Sequence, residues 1–221
     1  MFLDFLYKKK CISCNRIQNN LLCKPCESLI QTLEYKCSKC QFILNSNVCN
    51  HCNNNEIYFE KLFCIGVYSG LLKTLIYEYK YNKNKDLSII FSNLIEKNIN
   101  IKDKVDIITS IPIHKEKMKS RGFNQSELLA KEIAYKKRWK YLNILDRIKN
   151  TKAQFSLNLD ERKENLKNAF IINSKINLKN KNIVIVDDIY TTGTTIKEAC
   201  KLLKNNCVNK IFVIVIARAI E

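Results

Sequence analysis

Eight of the eleven cysteines stand in four Cys-x-x-Cys pairs: Cys11/Cys14, Cys23/Cys26, Cys37/Cys40 and Cys49/Cys52. Two thiolates three positions apart on a tight turn grip one side of a tetrahedral Zn²⁺, and a second pair closes the shell. Eight residues separate the pairs within each successive couple, and ten separate the couples. The simplest assignment is two four-cysteine sites, Cys11/Cys14/Cys23/Cys26 and Cys37/Cys40/Cys49/Cys52. A cross-braced arrangement, first pair with third, is the alternative that the spacing leaves open. Four sulfurs leave no coordination position for water, so both sites are expected to be structural. So short a segment has too little core to fold alone, and metal supplies much of its folding free energy. His51, between two ligands, reads as an exposed neighbour. Cys64, Cys200 and Cys207 stand alone and read as small buried apolar residues.

The second constellation is Val184-Ile185-Val186-Asp187-Asp188-Ile189-Tyr190-Thr191-Thr192-Gly193-Thr194-Thr195. An apolar run delivers two adjacent carboxylates, then a hydroxyl-rich loop with one glycine, then a helix. The first N–H groups of a helix lack intrahelical partners and face an anion placed before them. Thr191, Thr192, Thr194 and Thr195 add hydroxyl donors, and Gly193 lets the backbone come close to a phosphate. Asp187 and Asp188 repel phosphate; they suit vicinal hydroxyls, or waters on a divalent ion. Phosphate at one end and a diol in the middle describes a ribose 5-phosphate. The Gly-Lys-Ser/Thr ending that grips a β-phosphate is missing, so this is no Walker loop.

Cations gather between these two constellations. From 102 to 167 there are 17 Lys/Arg against 9 Asp/Glu. Most are a solvated surface. Arg121, beside Gly122, is placed to reach a polyphosphate with two parallel N–H groups. The stretch 147–162 has few apolar anchors and reads as a lid that excludes water, with Phe155 and Leu157 anchoring its closed form. Arg121, Arg147 and Arg162 are the candidate clamp.

The elements that must position these groups follow from hydrophobic period. Strands are expected at 62–68, 105–109, 183–186 and 211–216, and helices at 71–81, 87–97, 124–138 and 195–205. The runs 183–186 and 211–216 are continuously β-branched, as in strands buried on both faces. Strand, helix, strand in that order implies a right-handed crossover and a parallel sheet, with ligand at the carboxyl ends of its strands. Asn53-Asn54-Asn55 reads as a polar hinge, so the domains are expected at 1–55 and 56–221. Gly (4) and Pro (2) are too scarce for a linker-dominated chain among its 221 residues, and 46% hydrophobic against 27% charged is a globular balance. No apolar run spans a bilayer, and the apolar start precedes Lys8-Lys9-Lys10, the reverse of a secretory signal. A cytoplasmic protein without membrane insertion is expected. The formal charge is +17; each loaded four-cysteine site carries −2, which leaves +13. Such a charge attracts polyanions without reading bases.

Residues 184–195 closely resemble the 5-phosphoribosyl-1-pyrophosphate (PRPP) signature of type I phosphoribosyltransferases. Tyr68-Ser69-Gly70, Glu78-Tyr79-Lys80-Tyr81, Arg121-Gly122-Phe123-Asn124-Gln125-Ser126 and residues 154–170, with the cysteine-rich start, are similar to the ComF family. That resemblance covers nearly the whole chain. It implies a type I phosphoribosyltransferase-like parallel sheet flanked by helices, preceded by a small double zinc ribbon. It also implies that Asp187 and Asp188 contact the ribose hydroxyls, that Thr191 to Thr195 wrap the 5-phosphate, and that Mg²⁺ accompanies PRPP. The loop after the first core strand, Ser110-Ile111-Pro112, would take the pyrophosphate. Family members are implicated in DNA uptake during natural transformation. Two functions follow as expectations: transfer of phosphoribose to an unknown acceptor with release of pyrophosphate, or a non-catalytic module. The module would bind single-stranded DNA through a basic face, or dock DNA-uptake proteins. In 6-oxopurine enzymes an Asp of the phosphate loop acts near the base, and Thr191 stands at the matching position here.

Overall fold

The computed structural model describes residues 10–32, 34–44, 46–148, 169–173 and 176–219. Residues 154–168, with Arg162 and both expected lid anchors, lie outside that set. Four strands form a parallel sheet: β1 (Lys61–Val67), β2 (Ile107–Ser110), β5 (Ile183–Tyr190) and β6 (Ile211–Arg218), in the order β1-β6-β5-β2. An antiparallel pair, β3 (Leu145–Arg147) with β4 (Phe170–Ile172), stands apart. The helices are α1 (Lys24–Glu27), α2 (Asn50–Asn54), α3 (Gly70–Tyr81), α4 (Leu87–Asn98), α5 (Lys115–Arg121), α6 (Gln125–Lys137) and α7 (Thr194–Asn205). Among the described residues, no helix is long and apolar enough to cross a membrane.

The two central strands explain the layering. All eight residues of β6 are buried, and successive side chains of a strand point to opposite faces. Val184, Val186, Phe212, Ile214 and Ile216 pack on one side with α3, α4 and α6. Ile183, Ile185, Ile211, Val213 and Val215 pack on the other with Ile196, Ala199, Cys200 and Leu203 of α7. Those four lie at three- and four-residue steps, the stripe that seats a helix on a sheet. The cysteine segments join the same two layers: Cys11, Cys23 and Cys26 sit in the first apolar cluster, Cys37 and Cys40 in the second.

Both edges of the sheet are covered. Beyond β2, the N–H of Ile108 donates to the carbonyl of Lys140 and that of Leu142 to Ile108 (2.9 and 3.1 Å). Along β1, the N–H of Val67 donates to Gln31 (2.8 Å) and that of Leu62 to Lys39 (2.7 Å). Gln31, between the two cysteine groups, and Lys39, inside the second, therefore strap the edge of β1. The approach is tight at Gly66, where a Cβ would stand 2.4 Å from the Gln31 carbonyl oxygen.

Several local expectations change. Asn53 and Asn54 end α2 instead of forming a hinge, and Ser110 lies within β2 instead of turning it off. Cys207 is exposed, with a left-handed φ of 58°, so it is not a core residue. His51 is half-buried and stacks on Phe42 (centroids 5.0 Å, 21° between planes). Apolar periodicity is weak in α1, α2, α5, β3 and β4, which are three to seven residues long, and it predicts none of them.

Candidate functional site

The cysteines gather by sequential pairs. Cys11, Cys14, Cys23 and Cys26 place their Sγ atoms within 4.8 Å of one another, and so do Cys37, Cys40, Cys49 and Cys52. The cross-braced alternative falls away. Sγ separations are 3.7 Å for Cys14–Cys23, 3.8 Å for Cys37–Cys52 and 3.6 Å for Cys40–Cys49. A tetrahedron with Zn–S bonds of about 2.3 Å has edges of about 3.8 Å, whereas a disulfide would bring sulfurs to about 2.05 Å. The donor set and its dimensions fit two structural zinc ions. Burial pushes the Cys11 thiol up, but backbone N–H groups of Cys14, Cys23 and Ser13 outweigh it and bring it down to about 6. Cys37 falls to about 7 in the same way, through the N–H groups of Cys40 and Lys39. Metal binds the thiolate form.

At the carboxyl end of β5, Asp187 and Asp188 lead into the threonine loop and α7. Gly193 is the N-cap of α7 with φ 79°. A Cβ on it would stand 2.1 Å from the Tyr190 hydroxyl, so the loop closes over that ring only because residue 193 has no side chain. The hydroxyls of Thr192 and Thr194 are 2.9 Å apart on the same turn.

The acids are held from two distant parts of the chain. Asp187 Oδ1 accepts from Ser126 Oγ (3.0 Å) and from the N–H of Asp188 (2.9 Å). Asp188 pairs with Lys80 Nζ at 2.8 Å, with both side chains largely buried. Burial first, and the Asp188 charge second, push the Asp187 carboxyl up to about 7; Lys80 and Ser126 oppose this. The 121–126 motif ties the surroundings together. Asn124 caps α6 through the Ser126 N–H (3.1 Å) and donates to the Ile111 carbonyl (2.9 Å). Tyr79 Oη donates to the Gln125 carbonyl (2.8 Å), and Gln125 donates to the Lys80 carbonyl (3.3 Å).

Of the expected clamp, Arg121 lies 5.5 Å from the Tyr81 ring centroid and donates to Gln125 (3.3 Å). Arg147 lies over Phe170 at 5.6 Å, within electrostatic reach of Asp187. Burial, then Arg147, Arg121 and Lys80, press the Lys117 ammonium down, with Asp188 acting against them. Lys80, Lys117, Arg121 and Arg147 therefore form one cationic group beside the acidic edge. Ser110 and Ile111 are present at the head of the sheet but turned inward. Ser110 Oγ is 3.3 Å from Tyr141 Oη, and Ile111 is buried with its N–H on the Val186 carbonyl.

Sequence reasoning assigns no role to Lys80, Ser126, Lys117, Tyr190 or Arg218. Lys80, Ser126 and Tyr190 lie inside motifs that it does single out. A cavity of about 730 Å³ opens beside the loop, bordered by Phe42, His51, Phe59, Tyr190, Thr192 and Lys197; Asp187 and Asp188 do not line it.

A family model described as phosphoribosyl transferase domain matches residues 119–221. Competence protein F of Haemophilus influenzae is 30% identical over 226 residues, 95% of this chain and 97% of that protein. The DNA utilization protein YhgH of Escherichia coli K12 is 28% identical, covering 84% of this chain and 85% of its own length. Competence protein ComFC of Streptococcus pneumoniae is 28% identical, covering 86% and 84%.

Proposed function

Because the chain belongs to the family of competence protein F, we propose that it is a PRPP-binding protein serving the uptake and handling of DNA. The observation that carries the PRPP reading is the end of β5. There two acids fixed by Ser126 and Lys80 run into a hydroxyl loop that Gly193 folds onto the start of α7. In this reading Thr191, Thr192, Gly193, Thr194 and Thr195 hold the 5-phosphate, and Asp187 and Asp188 hold the ribose hydroxyls. Burial pushes the Asp187 carboxyl up to about 7, so it is able to accept from or donate to a sugar hydroxyl. Lys80, Lys117, Arg121 and Arg147 supply the positive field for the pyrophosphoryl group, and Ser110-Ile111 brings the backbone of the expected pyrophosphate loop alongside. Mg²⁺, bound with PRPP, would neutralise the polyphosphate charge.

The function in DNA uptake comes from the names of the relatives. The reaction, transfer of phosphoribose with loss of pyrophosphate, would use these groups to stabilise charge as the C1 bond breaks. The acceptor is not named by the residues. Calorimetry with PRPP and Mg²⁺ tests the binding, comparing the native chain with Asp187→Ala/Asp188→Ala. A loss of at least about tenfold in affinity is expected, since each lost hydrogen bond to a charged group is worth about 1.5–3 kcal/mol. Equal affinity would refute the ribose contacts. Pyrophosphate release then separates enzyme from binding module.

A second reading rests on the charge and on exposed rings. Tyr77 and Tyr81 are half exposed and lie 4.9 Å apart on α3, and Arg121 stands over the second. Rings beside cations stack bases of single strands without reading sequence. Titration with single-stranded DNA across salt concentrations tests this; binding with no salt slope would exclude it.

A further inference from the structure

The second four-cysteine centre is joined to the threonine loop by one buried arginine. Arg218 ends β6, opposite Tyr190 in the register of β5, and is 3% exposed. Its guanidinium lies between two rings, 4.9 Å from the centroid of Phe42 and 4.6 Å from that of Tyr190. Nη1 donates to the carbonyl of Cys40, a residue of the second centre (3.3 Å). The hydroxyl and ring edge of Tyr190 also lie beneath Gly193, so the ring is the floor of the loop. Phe42 leans in turn on His51, which neighbours Cys52. The chain of contacts runs from Cys40 through Arg218 and Tyr190 to Gly193 without a gap.

Charge gives this chain a direction. A buried guanidinium needs a counter-charge. Among the described residues, no carboxylate lies within ion-pair distance of Arg218. Four thiolates on one divalent ion would carry −2, and Cys40, whose carbonyl accepts from Arg218, belongs to the second centre. Among the described residues the first centre has no such link. Its segment reaches the domain through Lys97 and Glu27 (3.0 Å) and through the packing of Cys11, Leu22, Cys23 and Cys26 on the opposite layer.

We infer that Arg218 is a positioning residue through which the loaded second four-cysteine centre holds Tyr190, and with it the threonine loop, in place. The inference goes beyond PRPP binding and needs no knowledge of the acceptor. The metal is then not only a clasp for the N-terminal segment. Losing it leaves Arg218 without its counter-charge, and the ring stack beneath Gly193 loosens.

Hydrogen exchange read by mass spectrometry on the full chain tests this, with metal content measured in parallel. In Cys49→Ser, amides of 191–195 should exchange at least about fivefold faster, the lower end of ordinary coupling between two sites. Amides of 211–217 in the core of β6 should stay as they were. Cys14→Ser, which opens the first centre, should leave 191–195 unchanged. Arg218→Met, with both metals retained, should reproduce the Cys49→Ser pattern, and Arg218→Lys should restore part of the protection. The inference is overturned if Cys49→Ser leaves 191–195 untouched, if Cys14→Ser loosens them equally, or if Arg218→Met retains both metals and native exchange. Should Cys49→Ser unfold the core, shown by 211–217, the Arg218 variants decide. PRPP affinity is a separate reading: the expected pattern in a chain that binds no PRPP keeps the coupling and removes the proposed function.

Discussion

Replacing Gly193 with alanine probes the site at its tightest point. The backbone there has φ 79° and ψ 1°, a left-handed conformation that costs a residue with a Cβ about 1–2 kcal/mol. The added methyl would also meet Tyr190, at 2.1 Å from the hydroxyl oxygen and 2.3 Å from Cζ. Tyr190 is 3% exposed and wedged against Phe59 and Arg218, so the ring cannot swing out, and overpacking of this kind costs about 1–3 kcal/mol more. For a chain of this size each kcal/mol lowers the melting midpoint by roughly 2–4 °C, which puts the expected fall on the order of 10 °C. A double-mutant cycle separates the two causes. Calorimetry on Gly193→Ala, Tyr190→Ala and the pair should show the alanine at 193 costing only its backbone part, about 1–2 kcal/mol, once the ring is gone. An unchanged cost in the Tyr190→Ala background would show that the ring is not the obstacle, and the account of how the loop is held would fail.

Three further outcomes are expected. Gly66→Ala drives a Cβ against the Gln31 carbonyl and breaks the Val67 N–H bond to it, at a cost of about 1–3 kcal/mol; limited trypsin digestion should then cut sooner at Lys36 or Lys39, and an unchanged cleavage rate would argue against the strap. Asp187 holds its proton more tightly folded than unfolded, so its contribution to stability is present at acid pH, falls as pH rises from about 3.8 to about 7, and is flat above. Denaturation across that range should show this slope in the native chain and lose it in Asp187→Asn; equal slopes would contradict the burial argument. Lys80→Met strips Asp188 of its partner and removes one of the groups holding the Asp187 carboxyl down, so carboxyl NMR should show Asp187 titrating higher still, with PRPP affinity reduced at least about tenfold. A titration that stays put would detach Lys80 from the acidic edge.

What the sequence discloses is what it carries locally. Asp187 to Thr195 are consecutive, so strand, acids, loop and helix can be read together, and the eight cysteines announce two metal sites by spacing alone. The β-branched runs at 183–186 and 211–216 announce a buried parallel sheet for the same reason. The partners of the acids are far away in the chain: Ser126 is 61 residues from Asp187, and Lys80 belongs to another helix. No period or spacing signals such a meeting. Ser110 is expected in the pyrophosphate loop by family resemblance; the structure makes it the last residue of β2, with the Ile111 N–H on the Val186 carbonyl. Cys207 is expected in the core by residue type alone, and its left-handed backbone in the turn after α7 exposes it instead. Arg218 looks like one more cation in a basic chain. Only the register of β5 with β6 sets it over Tyr190.

The strap along β1 has a consequence for the fate of the protein when zinc is scarce. Parallel sheets end in rows of N–H and C=O groups that invite another chain to pair with them. Here that border is closed by Gln31, after one four-cysteine group, and Lys39, inside the other, and both groups have the donors to hold zinc. If the two groups hold zinc, its loss would uncover the β1 edge and favour self-association.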